Sequence, residues 1–150
     1  MAYLDWKEEL ETGIEIIDTQ HKRIVDYINQ LHDIDRGEGD TEVSDVIIAL
    51  VDYTLSHFVF EESLLEGAGY EKSAEHIREH DAFRNKIFAF KARAAEGGDV
   101  APSLLKLLND WLFTHIQEED GQYVTTVRLH LEQQEIKPGW LKKQAARFFK

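Results

Sequence analysis

A chain of 150 residues suits one domain with a single core, and 43% hydrophobic with 31% charged residues is a globular composition. Cysteine is absent, which excludes disulfides, thiolate metal sites and a cysteine nucleophile. The formal net charge of −12 argues against nucleic-acid binding, which leaves a basic footprint on a protein.

Residues 1–18 read as an ordered arm, because Leu4, Trp6, Leu10, Ile14, Ile16 and Ile17 are too apolar for a free tail. No basic segment followed by an apolar one opens the chain, so no secretory signal is expected, and the cytoplasm is the default compartment. No apolar run approaches 18 residues, and no membrane span is expected. Gly13 interrupts any helix in the arm, and Asp18 offers an N-cap for the first periodic segment. From Thr19 to about Ile34, His21, Ile24, Val25, Ile28, Leu31 and His32 fall on one helical stripe, ended by the glycines at 37 and 39. A second helix starts near Thr41 or Glu42 and carries Val43, Ile47, Leu50, Thr54, His57 and Glu61 on one face, to Leu64 or Leu65. A third runs from about Glu71 to Ala95 with His76, His80, Phe83, Ile87 and Phe90 aligned. Pro102 suits the first turn of a fourth, which aligns Leu104, Leu108, Trp111, Leu112 and His115 and runs to about Glu119.

Strand signals are poor, and four helices with short glycine-containing connections predict an all-α antiparallel up-down four-helix bundle. The N-terminal arm precedes it, and a C-terminal helical extension follows. The expected division is a domain over residues 1–123 and an extension over 124–150. Within the extension, residues 122–136 have helical composition, Pro138 and Gly139 break the chain, and Trp140 to Lys150 reads as a short basic amphipathic helix with Leu141, Ala145 and Phe148 on one side. Residues 131–150 carry two acids against five bases, a net +3, which leaves −15 for the first 130 residues.

The chemistry is carried by spacing. His57 and Glu61 stand four residues apart, as do His76 and His80, so each pair shares one face of its helix, one turn apart. His21 lies on the apolar stripe of the first helix and His115 on that of the fourth. Asp120 is five residues past His115, about 140° round the helix, and must reach back from the helix end beside Gly121. A lone histidine on an apolar face is most often a satisfied core side chain. Four helices presenting imidazole or carboxylate to one interior are different, because each buried unpaired polar group costs about 1–3 kcal/mol. A shared metal centre removes that cost for all of them. Five imidazoles and two carboxylates are too many for one ion and suit two ions bridged by carboxylate. Nitrogen and oxygen donors without thiolate fit iron, manganese or zinc. Neither Glu-x-x-His nor His-Glu-x-x-His occurs, so the centre is richer in histidine than the di-iron carboxylate enzymes.

Four stretches together resemble the hemerythrin family, specifically its bacteriohemerythrins. They are Trp6 with Gly13-Ile14-Glu15-Ile16-Ile17-Asp18-Thr19-Gln20-His21; His57-Phe58-Val59-Phe60-Glu61-Glu62; Gly69-Tyr70 with His76-x-x-x-His80; and Trp111-Leu112-x-x-His115-Ile116-x-x-x-Asp120. The resemblance covers about residues 3–123 and implies a non-haem centre of two iron ions with an oxygen bridge from solvent. It implies that His76, His80 and His115 bind one iron, that His21 and His57 bind the other, and that Glu61 and Asp120 bridge the two. The iron with two imidazoles keeps an open position, where the family binds O2 reversibly. Ile24, Phe58, Trp111 and Leu112 are the candidate walls of a dry O2 pocket.

The expected function is therefore O2 carriage, storage or delivery by a monomer that is not an enzyme. The alternatives are an O2 or redox sensor and a di-iron oxidase or peroxidase. His32 matches no ligand position, His130 lies beyond the bundle and is expected at the surface, and Glu62 reads as a solvated or outer neighbour of the centre. For the extension, a helix folded back on the bundle or a variable tail competes with weak docking to an acidic protein or an anionic membrane. The docking reading rests on Trp140, Phe148 and Phe149 among the five cations.

Overall fold

A computed structural model describes residues 4–37, 43–97, 99–116 and 121–149. Six helices follow a short 3₁₀ turn at Glu8–Leu10: α1 (Glu15–Asp35), α2 (Val43–Ala68), α3 (Ser73–Ala95), α4 (Ala101–Thr114), α5 (Gly121–Gln133) and α6 (Pro138–Ala145). No strand occurs among the described residues. The architecture is the all-α four-helix bundle, formed by α1 to α4. α1 packs against α2 and α4, and α2 against α3. α5 lies on α2 and α6 on α1, so the C-terminal helices fold back onto the bundle.

The apolar periodicity explains α1, whose buried residues Ile17, His21, Ile24, Ile28 and Leu31 recur at three- and four-residue steps. Its start differs from the expectation. Asp18 is not the N-cap; the helix begins at Glu15, with Ile14 at the cap position and no side-chain cap. Gly13 turns the arm back at φ +84, a conformation that favours glycine, and this aims backbone donors at the helix. Asp18, one turn in, accepts from the Thr12 backbone at 2.7 Å, the Thr12 hydroxyl at 2.8 Å and the Gly13 backbone at 3.0 Å. The arm is also tied down farther along α1, where Asn29 exchanges two hydrogen bonds with the Leu4 backbone at 2.7 and 2.9 Å. Asp18→Ala strands three donors and is expected to lower unfolding free energy by about 2–4 kcal/mol in a denaturant titration.

The remaining helices depart from expectation mainly at their ends. α3 starts at Ser73 rather than Glu71, because the Ser73 hydroxyl and backbone both donate to the Tyr70 carbonyl and close a turn first. α4 is α-helical to Thr114 and takes a wider π turn at His115 and Ile116, and its expected end near Glu119 lies outside the described residues. α5 begins at Gly121, so the boundary expected at residue 123 falls inside it. α2 is long and apolar enough to cross a membrane by length and composition, which a count of uninterrupted apolar runs misses. Its Thr54, His57 and Glu61 are nonetheless fully buried among protein groups, as in a core helix.

Two apolar clusters fill the interior. The larger includes Ile24, Ile28, Leu50, Phe58, Phe83, Leu108 and Leu112. The smaller includes Ile14, Ile17, Phe60, Leu65, Tyr123, Val127 and Ala145. On α1, His21 falls between Ile17 of the smaller and Ile24 of the larger, so the buried polar residues sit where the clusters meet. The C-terminal aromatics belong largely to this packing: Phe148 meets the Phe60 ring at 5.7 Å and Phe149 meets Tyr53 at 4.7 Å. Trp140 is 51% exposed.

Candidate metal centre

Glu61 is the focus of the buried polar group. Its side chain is fully buried, and four imidazole Nε2 atoms surround its carboxylate: His76 at 2.6 Å, His80 at 3.2 Å, His57 at 3.3 Å and His115 at 3.7 Å. The i,i+4 geometry of α2 brings His57 beside Glu61, and the same spacing on α3 sets His76 edge-on to His80 with ring centroids 4.5 Å apart. His21 of α1 meets the His57 ring edge-on at 4.8 Å and lies 6.3 Å from His115 of α4. Two sets of donor atoms each lie within 4.8 Å of one another: His21, His57, Glu61 and His115, and Glu61, His76, His80 and His115. Glu61 and His115 belong to both. Six of the seven candidate ligands therefore converge, and the seventh, Asp120, lies outside the described residues.

Outward-facing ring nitrogens are held by partners that fix the tautomer. Gln20 Oε1 accepts from His57 Nδ1 at 2.6 Å, which leaves the lone pair of His57 on Nε2, turned inward. Glu62 Oε2 accepts from His80 Nδ1, also at 2.6 Å, with the same consequence. His57 Nε2 and His80 Nε2 are then buried with no hydrogen-bond partner of good geometry among the described residues. Two inward lone pairs beside a buried carboxylate form a donor set that a cation completes. The Tyr123 hydroxyl donates to Glu61 Oε2 at 3.1 Å from the far side.

Electrostatics agree with metal ligation. Burial, with the nearby His57 adding to it, lowers His21 to about 3, and burial holds His115 well below its ordinary value. Both imidazoles stay neutral with a lone pair available. Burial alone would push the Glu61 carboxyl up, but the imidazoles of His57, His76 and His80 facing it outweigh burial and hold it well below its ordinary value, so the group stays ionised. The residues present fit a cation centre of nitrogen and oxygen donors.

The expected pocket residues divide in two. Phe58 is fully buried, stacks on His80 at 4.0 Å and 13°, and meets Trp111 edge-on at 5.4 Å. Trp111 stacks on His115 at 4.7 Å and 18°. Ile24 and Leu112 are fully buried in the larger apolar cluster. A surface cleft of about 310 Å³, lined by Phe83, Trp111, Thr114 and His115 among others, leads toward this side of the centre.

Sequence spacing misses three residues that shape the site. Gln20 precedes a ligand candidate, but its own position predicts nothing about its partner. Tyr123 reaches Glu61 across 62 residues, and no periodicity signals that contact. Phe83 was aligned with the third helix's face, yet its stacking on Trp111 at 4.1 Å depends on how α3 meets α4. His32 is eleven residues from His21, about 16 Å along α1, and its Nδ1 lies 3.8 Å from Asp33. His32→Ala is expected to leave the metal content unchanged, as read by elemental analysis of the purified protein. His130, expected at the surface, is half-buried in a groove with Phe60, Trp140 and Phe148.

Residues 12–127 match the family model described as the hemerythrin HHE cation binding domain. The bacteriohemerythrin of Pseudomonas aeruginosa is 45% identical over 99% of each chain, an alignment that includes the C-terminal helices. The bacteriohemerythrin of Clostridium acetobutylicum is 30% identical over 79% of this chain and 97% of its own. A solved wild-type hemerythrin superposes with a TM-score of 0.78 at 30% identity, covering 84% of this chain and 98% of its own.

Proposed function

Since this chain belongs to the hemerythrin family, we propose that it binds O2 reversibly at a non-haem di-iron centre and serves O2 carriage, storage or delivery. The observation that carries this reading is the buried carboxylate of Glu61 with four imidazole nitrogens within 3.7 Å. His76, His80 and His115 would hold one ion, His21 and His57 the other, with Glu61 and Asp120 between them. When bound there, an iron pair would supply the redox chemistry for reversible O2 binding.

The chain's own residues supply the rest. Glu61 and the surrounding imidazoles bring oxygen and nitrogen donors. Phe58 and Trp111 lie against the ligand rings, and with Ile24 and Leu112 they keep water from the site. Among the described residues, the buried hydroxyls of Tyr123 and Thr54 are committed elsewhere: Tyr123 donates to Glu61, and Thr54 donates to the Leu50 carbonyl at 2.8 Å. Neither is turned to deliver a proton that would release a reduced oxygen product, which favours a carrier over an oxidase or peroxidase. We also place the protein in the cytoplasm as a monomer, with O2 as its partner. Docking of its basic end to an acidic protein or membrane is weak, because Phe148 and Phe149 are engaged in packing.

The test is optical. The iron-loaded protein is reduced, exposed to air and degassed while its visible absorption is followed. Repeated appearance and loss of the oxygenated spectrum is the expected result. One-way conversion to the oxidised form with peroxide in solution would overturn O2 carriage.

A further inference from the structure

Two of the inward-facing imidazoles are backed by different groups, and that difference sets the two halves of the centre apart. His57 Nδ1 donates to the Gln20 amide oxygen, a neutral acceptor in the fully packed interior. His80 Nδ1 donates to the Glu62 carboxylate, an anion. Both bonds are 2.6 Å long, so the contrast lies in charge rather than distance. A carboxylate behind an imidazole draws the Nδ1 proton and raises electron density at Nε2, which strengthens the ring as a donor and favours the more oxidised metal.

Glu62 does not hold this position alone. Arg84 of α3 donates through Nη2 to the same Glu62 oxygen at 2.5 Å, and through Nη1 to Asp81 at 2.7 Å. Its guanidinium lies 5.4 Å from the centre of the Phe58 ring, whose own ring stacks on His80. His80 is therefore framed by the Glu62 carboxylate at its edge and by Phe58 on its face, and Arg84 braces both. We propose that Glu62, braced by Arg84, is a positioning residue that makes His80 a stronger donor than His57, so that the ion on the His76–His80–His115 side is the one whose oxidised state the protein stabilises. This rests on the di-iron reading above and adds a regulator of its redox balance. The side chains of Glu62 and Arg84 are 15% and 17% exposed, so both can be changed without opening the core.

The test compares iron-loaded variants by anaerobic spectroelectrochemical titration and by the rate of iron release to a coloured ferrous chelator. Glu62→Gln keeps the volume and an acceptor oxygen but removes the charge. Its midpoint potential is expected to shift to more positive values. Glu62→Ala also loses the orientation of the ring, and iron binding is expected to weaken about 10- to 100-fold. Arg84→Lys, which keeps a cation beside Glu62, should stay near wild type, and the exposed Glu66→Gln one turn along α2 should not move either quantity. A merely structural salt bridge would not shift the potential. An unshifted midpoint in fully loaded Glu62→Gln, or a shift no larger than that of Glu66→Gln, overturns this proposal alone. A wild-type chain that fails to bind two iron ions overturns the di-iron reading and this proposal with it.

Discussion

Glu61→Ala is expected to leave the protein folded and nearly free of metal. Glu61 is the one carboxylate shared by both converging donor sets among the described residues, and it is fully buried between them. Two divalent ions packed among neutral imidazoles repel one another, and in a low-dielectric interior that repulsion is reduced by an anion placed between them. Outer partners of metal ligands typically alter affinity about 10- to 100-fold, and removal of a shared ligand should exceed that range. Elemental analysis after gel filtration should find less than about a tenth of the wild-type loading. Glu61→Gln should lose metal as well, because the amide preserves shape and hydrogen bonding without the charge. Far-UV circular dichroism separates this outcome from unfolding. Wild-type loading in either variant would remove Glu61 from the centre, whereas loss of metal in His32→Ala would show that the ligand set is drawn too narrowly.

The second large effect is expected from Phe58→Ala. Phe58 is fully buried, stacks on His80, and meets Phe83 at 5.9 Å and Trp111 at 5.4 Å. Truncation of a buried phenylalanine costs about 3–5 kcal/mol, through lost transfer free energy and the cavity left behind. A domain of this size has about 5–15 kcal/mol in all, so the variant should remain folded but unfold at a markedly lower denaturant concentration. The vacated volume borders His80, and water entering there should speed irreversible oxidation of the iron-loaded protein. Phe58→Leu restores most of the volume and should recover most of the stability. A loss below about 1 kcal/mol in Phe58→Ala would mean that the neighbouring rings close over the gap.

Much of this centre is legible from residue spacing because the relevant relations are local. His57 with Glu61 and His76 with His80 are one helical turn apart, and an α-helix places such residues side by side whatever surrounds it. Helix identity is legible for the same reason, since apolar residues three and four apart mark a buried stripe. Helix ends are less so. Asp18 has the composition and position of a cap, yet its carboxylate serves Thr12 and Gly13, because the arm folds back at Gly13 and brings its donors there. The extension illustrates the same difficulty. Its apolar face and basic charge suit a docking helix, while the packing of Phe148 on Phe60 and Phe149 on Tyr53 uses two of its three aromatic residues internally.

By itself the amino-acid sequence determined that this protein is a helical bundle, that histidines and a carboxylate share its apolar faces, and that no thiolate takes part. These follow from composition and from the 3.6-residue repeat, which every helix obeys independently of its partners. Only the tertiary structure decided which imidazole nitrogen faces inward, that Gln20 stands behind His57 and Glu62 behind His80, and that Tyr123 completes the hydrogen bonding of Glu61. Those contacts join residues 18 to 62 positions apart, on helices whose relative rotation and height are set by how the two apolar clusters pack. No local pattern encodes that rotation, because it is a property of the assembled interior.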